Sequence, residues 1–287
     1  MSGLSFSLLR HRGVLAVGGP DRIAFLQGLI SNDTTKVAPG TAIWAALLTP
    51  QGRFLNEMFV ADSGGDTLLL ETEHDRAPAL ARKLTLYKLR SKVTIEDRSA
   101  ALEVAAVFGA PQAAPPRLAG VVAFADPRLP ELGYRLIGAS GTLESALAAH
   151  GLTPAPFEAY DALRLKLGVP DGSRDLPVEK ALLLENGFDE LHGVDWNKGC
   201  YMGQELTART KYRALIRKRL LPVSIEGDVP APGTSVQMDG KDVGELRSGS
   251  GGRALALLQL DAVRSGVPLS ADGRRVSPEI PQWLQLA

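Results

Sequence analysis

An α+β fold ending in a small β-barrel is predicted by three features of the 287-residue sequence. Up to about residue 150 the apolar runs follow a strand–helix–strand–strand rhythm, which suits ferredoxin-like α/β sandwiches. From Arg219 onward the texture changes to short β-runs separated by frequent turn residues, which suits a barrel. The length allows a large core and a division into two or three domains.

Taken in order, Val14 to Val17 reads as a strand, and Gly18-Gly19-Pro20-Asp21 as the entry to a helix. In that helix Ile23, Leu26 and Ile30 form an apolar stripe, and Ser31-Asn32-Asp33 ends it. Ile43 to Leu48 and Phe54 to Ala61 flank Pro50-Gln51-Gly52-Arg53 as a hairpin, and a strand follows from Thr67 to Leu70. Leu80, Leu84 and Tyr87 stripe a helix from about Ala77 to Leu89, and strands near Val93 to Glu96 and Leu102 to Phe108 follow. Residues 109–120, with Pro111, Pro115 and Pro116, read as a surface loop or junction. Next come strands at Val121 to Ala123 and Tyr134 to Ile137, then helices at Leu143 to His150 and Phe157 to Leu167. Residues 168–197 lack periodicity, a common trait of functional segments. In the last third, Asp239-Gly240 marks a hairpin, Ser248-Gly249-Ser250-Gly251-Gly252 a flexible loop, and Ala254 to Leu260 a strand.

Composition removes several classes of function. Thirty-two basic residues balance 32 acidic ones, so no global charge draws the chain to nucleic acid or anionic membrane. One cysteine excludes an internal disulfide framework and a cysteine-cluster zinc site, and four scattered histidines form no ligand set. No apolar run approaches the ~18 residues that span a bilayer. Arg10 and Arg12 in an acid-free start faintly resemble a transit peptide, but a strand begins at Gly13 and leaves little room for one. The expectation is a cytoplasmic, bacterial protein.

That single cysteine lies in Lys198-Gly199-Cys200-Tyr201-Met202-Gly203-Gln204-Glu205, followed by the helix-permissive Leu206-Thr207-Ala208-Arg209. Glycines permit a tight bend, while a helix N-terminus and a nearby lysine favour thiolate over thiol. The competing reading is a small buried hydrophobe, to which glycines and charges are poor neighbours. Between Lys198 and Arg219 there are seven basic residues and one acid, Glu205. This run reads either as a solvated face or as an anion-attracting rim.

The octet Lys198 to Glu205 is similar to the hallmark of the YgfZ-type folate-binding proteins, which serve iron–sulfur cluster assembly and repair. Leu206-Thr207-Ala208-Arg209-Thr210 and Ile216-Arg217-Lys218-Arg219-Leu220 resemble the mitochondrial branch and its α-proteobacterial relatives. Gly19-Pro20-Asp21-Arg22, Phe25-Leu26-Gln27-Gly28, Leu48-Thr49-Pro50-Gln51-Gly52-Arg53, Arg164, Gly168-Val169-Pro170 and Leu184-Glu185 also fall where that family has them. The resemblance implies a three-domain ring like that of the glycine-cleavage aminomethyltransferase (T-protein). Its domains would be 1–45 plus 150–218, 46–149, and a barrel at 219–287. It also implies tetrahydrofolate or a one-carbon derivative as cofactor, with iron–sulfur assembly or client proteins as partners. Cys200 and Lys198 become the catalytic candidates. Glu185 becomes the pterin-contacting carboxylate, with Tyr201, Gln204, Glu205 and Arg209 as further cofactor-binding candidates. A carboxylate can accept paired hydrogen bonds from a pterin amino group and ring N–H, although read alone Glu185 is a solvated acid.

One departure separates the chain from the transferases. Where they carry a catalytic acid, this sequence has Asn56, and an amide cannot act as acid or base. A folate-dependent one-carbon transferase is thus the second reading. A basic RNA-binding module is the third, weakened by the absence of a recognisable nucleic-acid-binding motif.

Overall fold

The computed structural model describes residues 3–109, 115–213 and 216–286, in two units. One comprises Met1–Thr49, Leu55–Tyr160 and Leu191–Met202, the other Pro50–Phe54, Asp161–Glu190 and Gly203–Ala287. Part of the expected 109–120 loop, including Pro111, lies outside the described residues.

The first unit contains β1 (Ser5–Leu8), β2 (Arg12–Gly18), α1 (Arg22–Gln27), β3 (Ala42–Leu48) and β4 (Phe54–Asp62), whose first residue belongs to the second unit. It continues with β5 (Thr67–Glu73), α2 (Ala77–Lys88), β6 (Thr94–Asp97), β7 (Leu102–Phe108), β8 (Val122–Ala125), β9 (Tyr134–Ala139), α3 (Leu143–Ala149) and β10 (Thr153–Pro154). These strands form two five-stranded sheets, ordered β3-β4-β5-β2-β6 and β10-β1-β7-β9-β8. In the second sheet Phe6, Val107 and Leu136 pack with Leu143 and Leu147 of α3 as one core. Helix α4 (Phe157–Leu167) begins in the first unit and ends in the second.

Two sequence expectations need correction, and one strand went unread: residues 5–8 form β1, which pairs with β7 and β10, and Phe6 is buried. Helix α1 stops at Gln27 rather than reaching Ile30, which instead bridges Leu47. Ser248 to Ser250 belong to a strand rather than a loop. A Cβ on Gly249 would stand 2.7 Å from the Ala254 side chain, so glycine serves close strand approach there.

Buried charge joins the two sheets. Arg12 on β2 donates to Glu57 of β4 at 2.7 Å and to Glu71 of β5 at 2.9 Å. Arg135 on β9 pairs with that same Glu71 and, at 3.2 Å, with Asp126, which Arg128 also holds at 2.7 Å. Trp44 Nε1 donates to Glu57, and the Phe59 ring lies 4.0 Å from the Arg135 guanidinium. Three cations thus face three carboxylates in a layer closed to water, where an unbalanced charge is costly.

In the second unit, residues 168–190 carry only short 3-10 turns at Gly172–Arg174 and Leu184–Asn186. Helix α5 (Gln204–Tyr212) precedes β11 (Lys218–Ile225), β12 (Ser235–Met238), β13 (Lys241–Ser250) and β14 (Arg253–Gln259). After α6 (Leu260–Ser265) come β15 (Leu269–Ala271) and β16 (Arg274–Pro278). The expected barrel is closed, in the order β11-β14-β13-β12-β15-β16, around Val223, Val236, Leu246, Ala256 and Val276. The β12–β13 turn has Asp239 and Gly240 both at positive φ, as a tight hairpin demands. Buried Arg164 ties the irregular segment to this barrel through Asp161, Asp175, the Val169 carbonyl and Ser248 Oγ.

Candidate functional site

In the first unit the cysteine loop is moored to the C-terminal end of α1. Lys198 Nζ donates to the carbonyl of Gln27 at 2.5 Å, in the last turn of α1, and to that of Ile30 at 2.9 Å, just beyond the helix. Gln27 Nε2 donates back to the Lys198 carbonyl at 3.2 Å, and Met202 N donates to the Gly28 carbonyl at 3.1 Å. Gln27 is held in turn: Nε2 reaches Asp33 Oδ1, and Oε1 accepts from Thr34 N and Oγ1. Cys200 stands between these moorings and is exposed, so the reading of a small buried hydrophobe does not hold. Gly199, with φ of 87°, makes the bend before it.

Lys198 is half-buried. Burial pulls its ammonium down to about 8, against the attraction of Asp33, Asp195 and the neighbouring Cys200. Its Nζ also lies 5.0 Å from the centre of the buried Tyr201 ring. Nearby, Lys36 pairs with Asp195. Against the penalty of burial, that contact and the Asn197 N–H hold the Asp195 carboxyl below its ordinary value.

In the second unit Glu185 sits in the Leu184–Asn186 turn between two buried residues, itself half-buried. Its carboxylate makes no hydrogen bond among the described residues. Burial raises it above its ordinary value, although Lys218, Arg53 and Arg219 oppose the shift. Two of these cations are engaged nearby. Arg53 donates to the Lys180 carbonyl at 2.9 Å, and Arg219 donates to the Leu184 carbonyl and Glu190. A half-buried acceptor ringed by cations can take N–H donors from a heterocycle while the cations attract an anionic tail.

The other candidates are placed as follows. Gly203, in left-handed conformation, caps α5, and Gln204 begins that helix half-buried. Glu205 and Arg209 pair with each other across one turn at 3.1 Å on the exposed face. The structure thus groups Cys200 with Lys198 and Tyr201 in one unit, and Glu185, Gln204, Glu205 and Arg209 in the other.

Asn56 is buried on β4, and its Nδ2 has no partner among the described residues. Its neighbour Glu57 is committed to Arg12 and Trp44. Gln27 is the site residue that sequence reasoning missed. It lies in a quoted motif, but nothing in the spacing ties it to a lysine 171 positions away.

Gly52 fixes the approach of the Pro50–Phe54 segment to α5. At φ of 82°, a Cβ there would lie 2.6 Å from Leu206 Cβ and 2.7 Å from the Gly203 carbonyl oxygen. Gly52→Ala is therefore expected to cost about 1–3 kcal/mol, read as a lower denaturation midpoint at unchanged m-value.

Comparison with known proteins adds three findings. A family model described as the GCVT N-terminal domain matches residues 9–121, and one described as the CAF17 C-terminal beta-barrel domain matches residues 217–286. The mitochondrial iron–sulfur cluster assembly factor IBA57 of Mus musculus is 34% identical, over 96% of this chain and 84% of its own length. That of Homo sapiens is 33% identical over 96% and 84%, and the homolog of Mycosarcoma maydis 32% over 95% and 83%. Among solved structures, the glycine cleavage system aminomethyltransferase T from Bartonella henselae superposes with a TM-score of 0.78 at 13% identity, over 98% of this chain and 86% of that one. The fold is aminomethyltransferase-like, as expected. The expected cytoplasmic, bacterial location is overturned, because these relatives are mitochondrial proteins. A lone thiol and a balanced composition could not decide the point, since cytosol and matrix are both reducing.

Proposed function

Since the chain belongs to the IBA57 family of iron–sulfur cluster assembly factors, we propose that it assembles or repairs clusters in client enzymes, with Cys200 as its working thiol and tetrahydrofolate or a one-carbon derivative as cofactor. One observation carries the proposal: Cys200 is exposed, on a loop moored on both sides by groups other than its own side chain. An iron–sulfur cluster takes about four ligands, so a lone thiol acts on a cluster only alongside ligands from an assembly or client protein. Lys198 holds the loop in place and keeps a cation beside it.

The folate half of the reading rests on the resemblance of the Lys198–Glu205 octet to that of the YgfZ-type proteins, and on the fit of Glu185. Its carboxylate is half-buried and makes no hydrogen bond among the described residues, with Arg53, Lys218 and Arg219 about it. When bound, the folate would supply one-carbon or redox chemistry, while this chain's residues hold its donor-bearing ring. Aminomethyl transfer is the weaker reading, because Asn56 cannot exchange a proton and Glu57 is engaged in the buried ion layer.

Calorimetric titration of the purified protein with tetrahydrofolate tests this half. Glu185→Gln is expected to weaken binding by about 10–100-fold, the value of a charge-assisted hydrogen bond of ~1.5–3 kcal/mol. The carboxyl is raised and the ligand needs its ionised form. Affinity should therefore fall as pH drops through a value above the ordinary 4.5. Equal affinity in wild type and variant would remove Glu185 from the site.

A further inference from the structure

Helix α2 uses one apolar face and exposes a second. Ala77, Leu80 and Leu84 are buried against the first unit, whereas Leu86 is 76% and Leu89 88% exposed. Leucines so exposed are unusual where the same helix already buries a complete apolar stripe. Leu89, moreover, is held at φ of 44° as the helix C-cap. Non-glycine residues rarely adopt that conformation, and such strain clusters at binding and switch regions.

The charge around these leucines is of one sign. Between Ala77 and Ile95 the chain carries Arg82, Lys83, Lys88, Arg90 and Lys92 and no acid, in a protein whose total charge is zero. No carboxylate among the described residues pairs with any of the five. Asp21 accepts from the Lys92 backbone N–H at 2.7 Å and lines an open hollow with Leu89, Arg90 and Ser91, while Glu96 and Asp97 stand on the adjacent β6.

We propose that the C-terminal end of α2 with residues 89–92 is a docking surface for a protein partner that presents carboxylates around an apolar patch. Leu86 and Leu89 supply the desolvated centre, and the five cations form the rim that steers the partner and sets its orientation. A membrane is disfavoured, because an interfacial helix lays its main apolar face into lipid and that face of α2 is packed inside the protein. Nucleic acid is disfavoured because the exposed apolar groups among the cations are leucines, while the one aromatic there, Tyr87, is half-buried. The surface does not depend on the thiol or the folate, and extends the account beyond both.

The test replaces Leu89 of the full-length protein by the photo-reactive p-benzoylphenylalanine and irradiates living cells. The expected product is a discrete protein adduct whose cross-linked peptide, identified by mass spectrometry, is acidic and contains apolar residues. Adding Arg82→Glu, Lys88→Glu and Arg90→Glu should lower its yield about tenfold or more, and the three glutamine replacements should lower it less. Arg82 and Arg90 are exposed and Lys88 is partly so, and an unchanged melting curve verifies folding. A phospholipid or nucleic-acid adduct, a cross-linked peptide without acidic character, a yield indifferent to charge reversal, or no adduct at all would each overturn the proposal.

Discussion

Arg135→Ala is expected to destabilise the first unit by about 3–5 kcal/mol, because it leaves buried carboxylates without their counter-charge. Arg135 is the cation that spans both sheets, holding Glu71 on β5 and Asp126 beyond β8. At about 2–4 °C for each kcal/mol, the loss should lower the melting temperature by about 6–20 °C. Against the penalty of burial, Arg128 and Arg135 hold the Asp126 carboxyl below its ordinary 3.8. Its contribution is therefore present above pH 3.8 and is lost as pH falls through the lower folded value. A second variant separates charge balance from packing. Glu71→Gln combined with Arg135→Met restores neutrality, so the two changes should be coupled by about 0.5–3 kcal/mol. Strict additivity would mean that the six groups do not act as one layer.

The second large effect concerns function rather than stability. Cys200→Ser should abolish cluster-dependent activity while changing stability by no more than about 0.5 kcal/mol, as is usual for an exposed position. Lys198 Nζ, Gln27 Nε2 and Met202 N moor the loop, and none of these bonds uses the sulfur. A serine hydroxyl would therefore occupy the same place. It would not ionise near neutral pH or offer a soft ligand to iron.

Much of the fold was legible because periodicity reports burial directly. The stripe Leu80–Leu84 gave α2, and the Asp239-Gly240 pair gave the β12–β13 turn. What was not legible depends on distant partners. Ser5 to Leu8 is too short to show a period, and becomes a strand only because β7 and β10 lie beside it. Arg12 suggested a leader by composition, yet it is a buried member of the ion layer, paired with residues 45 and 59 positions away. The site divides the same way. Cys200 stood out because its flanking glycines and charges suit a bend. Lys198, expected beside the thiol, also donates to the Gln27 and Ile30 carbonyls, ties that nothing local in the sequence announced. Gln27 carried no local signal of its tie to that lysine.

The most direct measurement is the activity of a [4Fe–4S] enzyme in cells lacking this protein, complemented with wild type or Cys200→Ser at matched abundance. Activity should fall in the deletion, return with wild type and stay low with the serine variant. Equal rescue by both would contradict this expectation and reduce Cys200 to a surface residue on a structural loop.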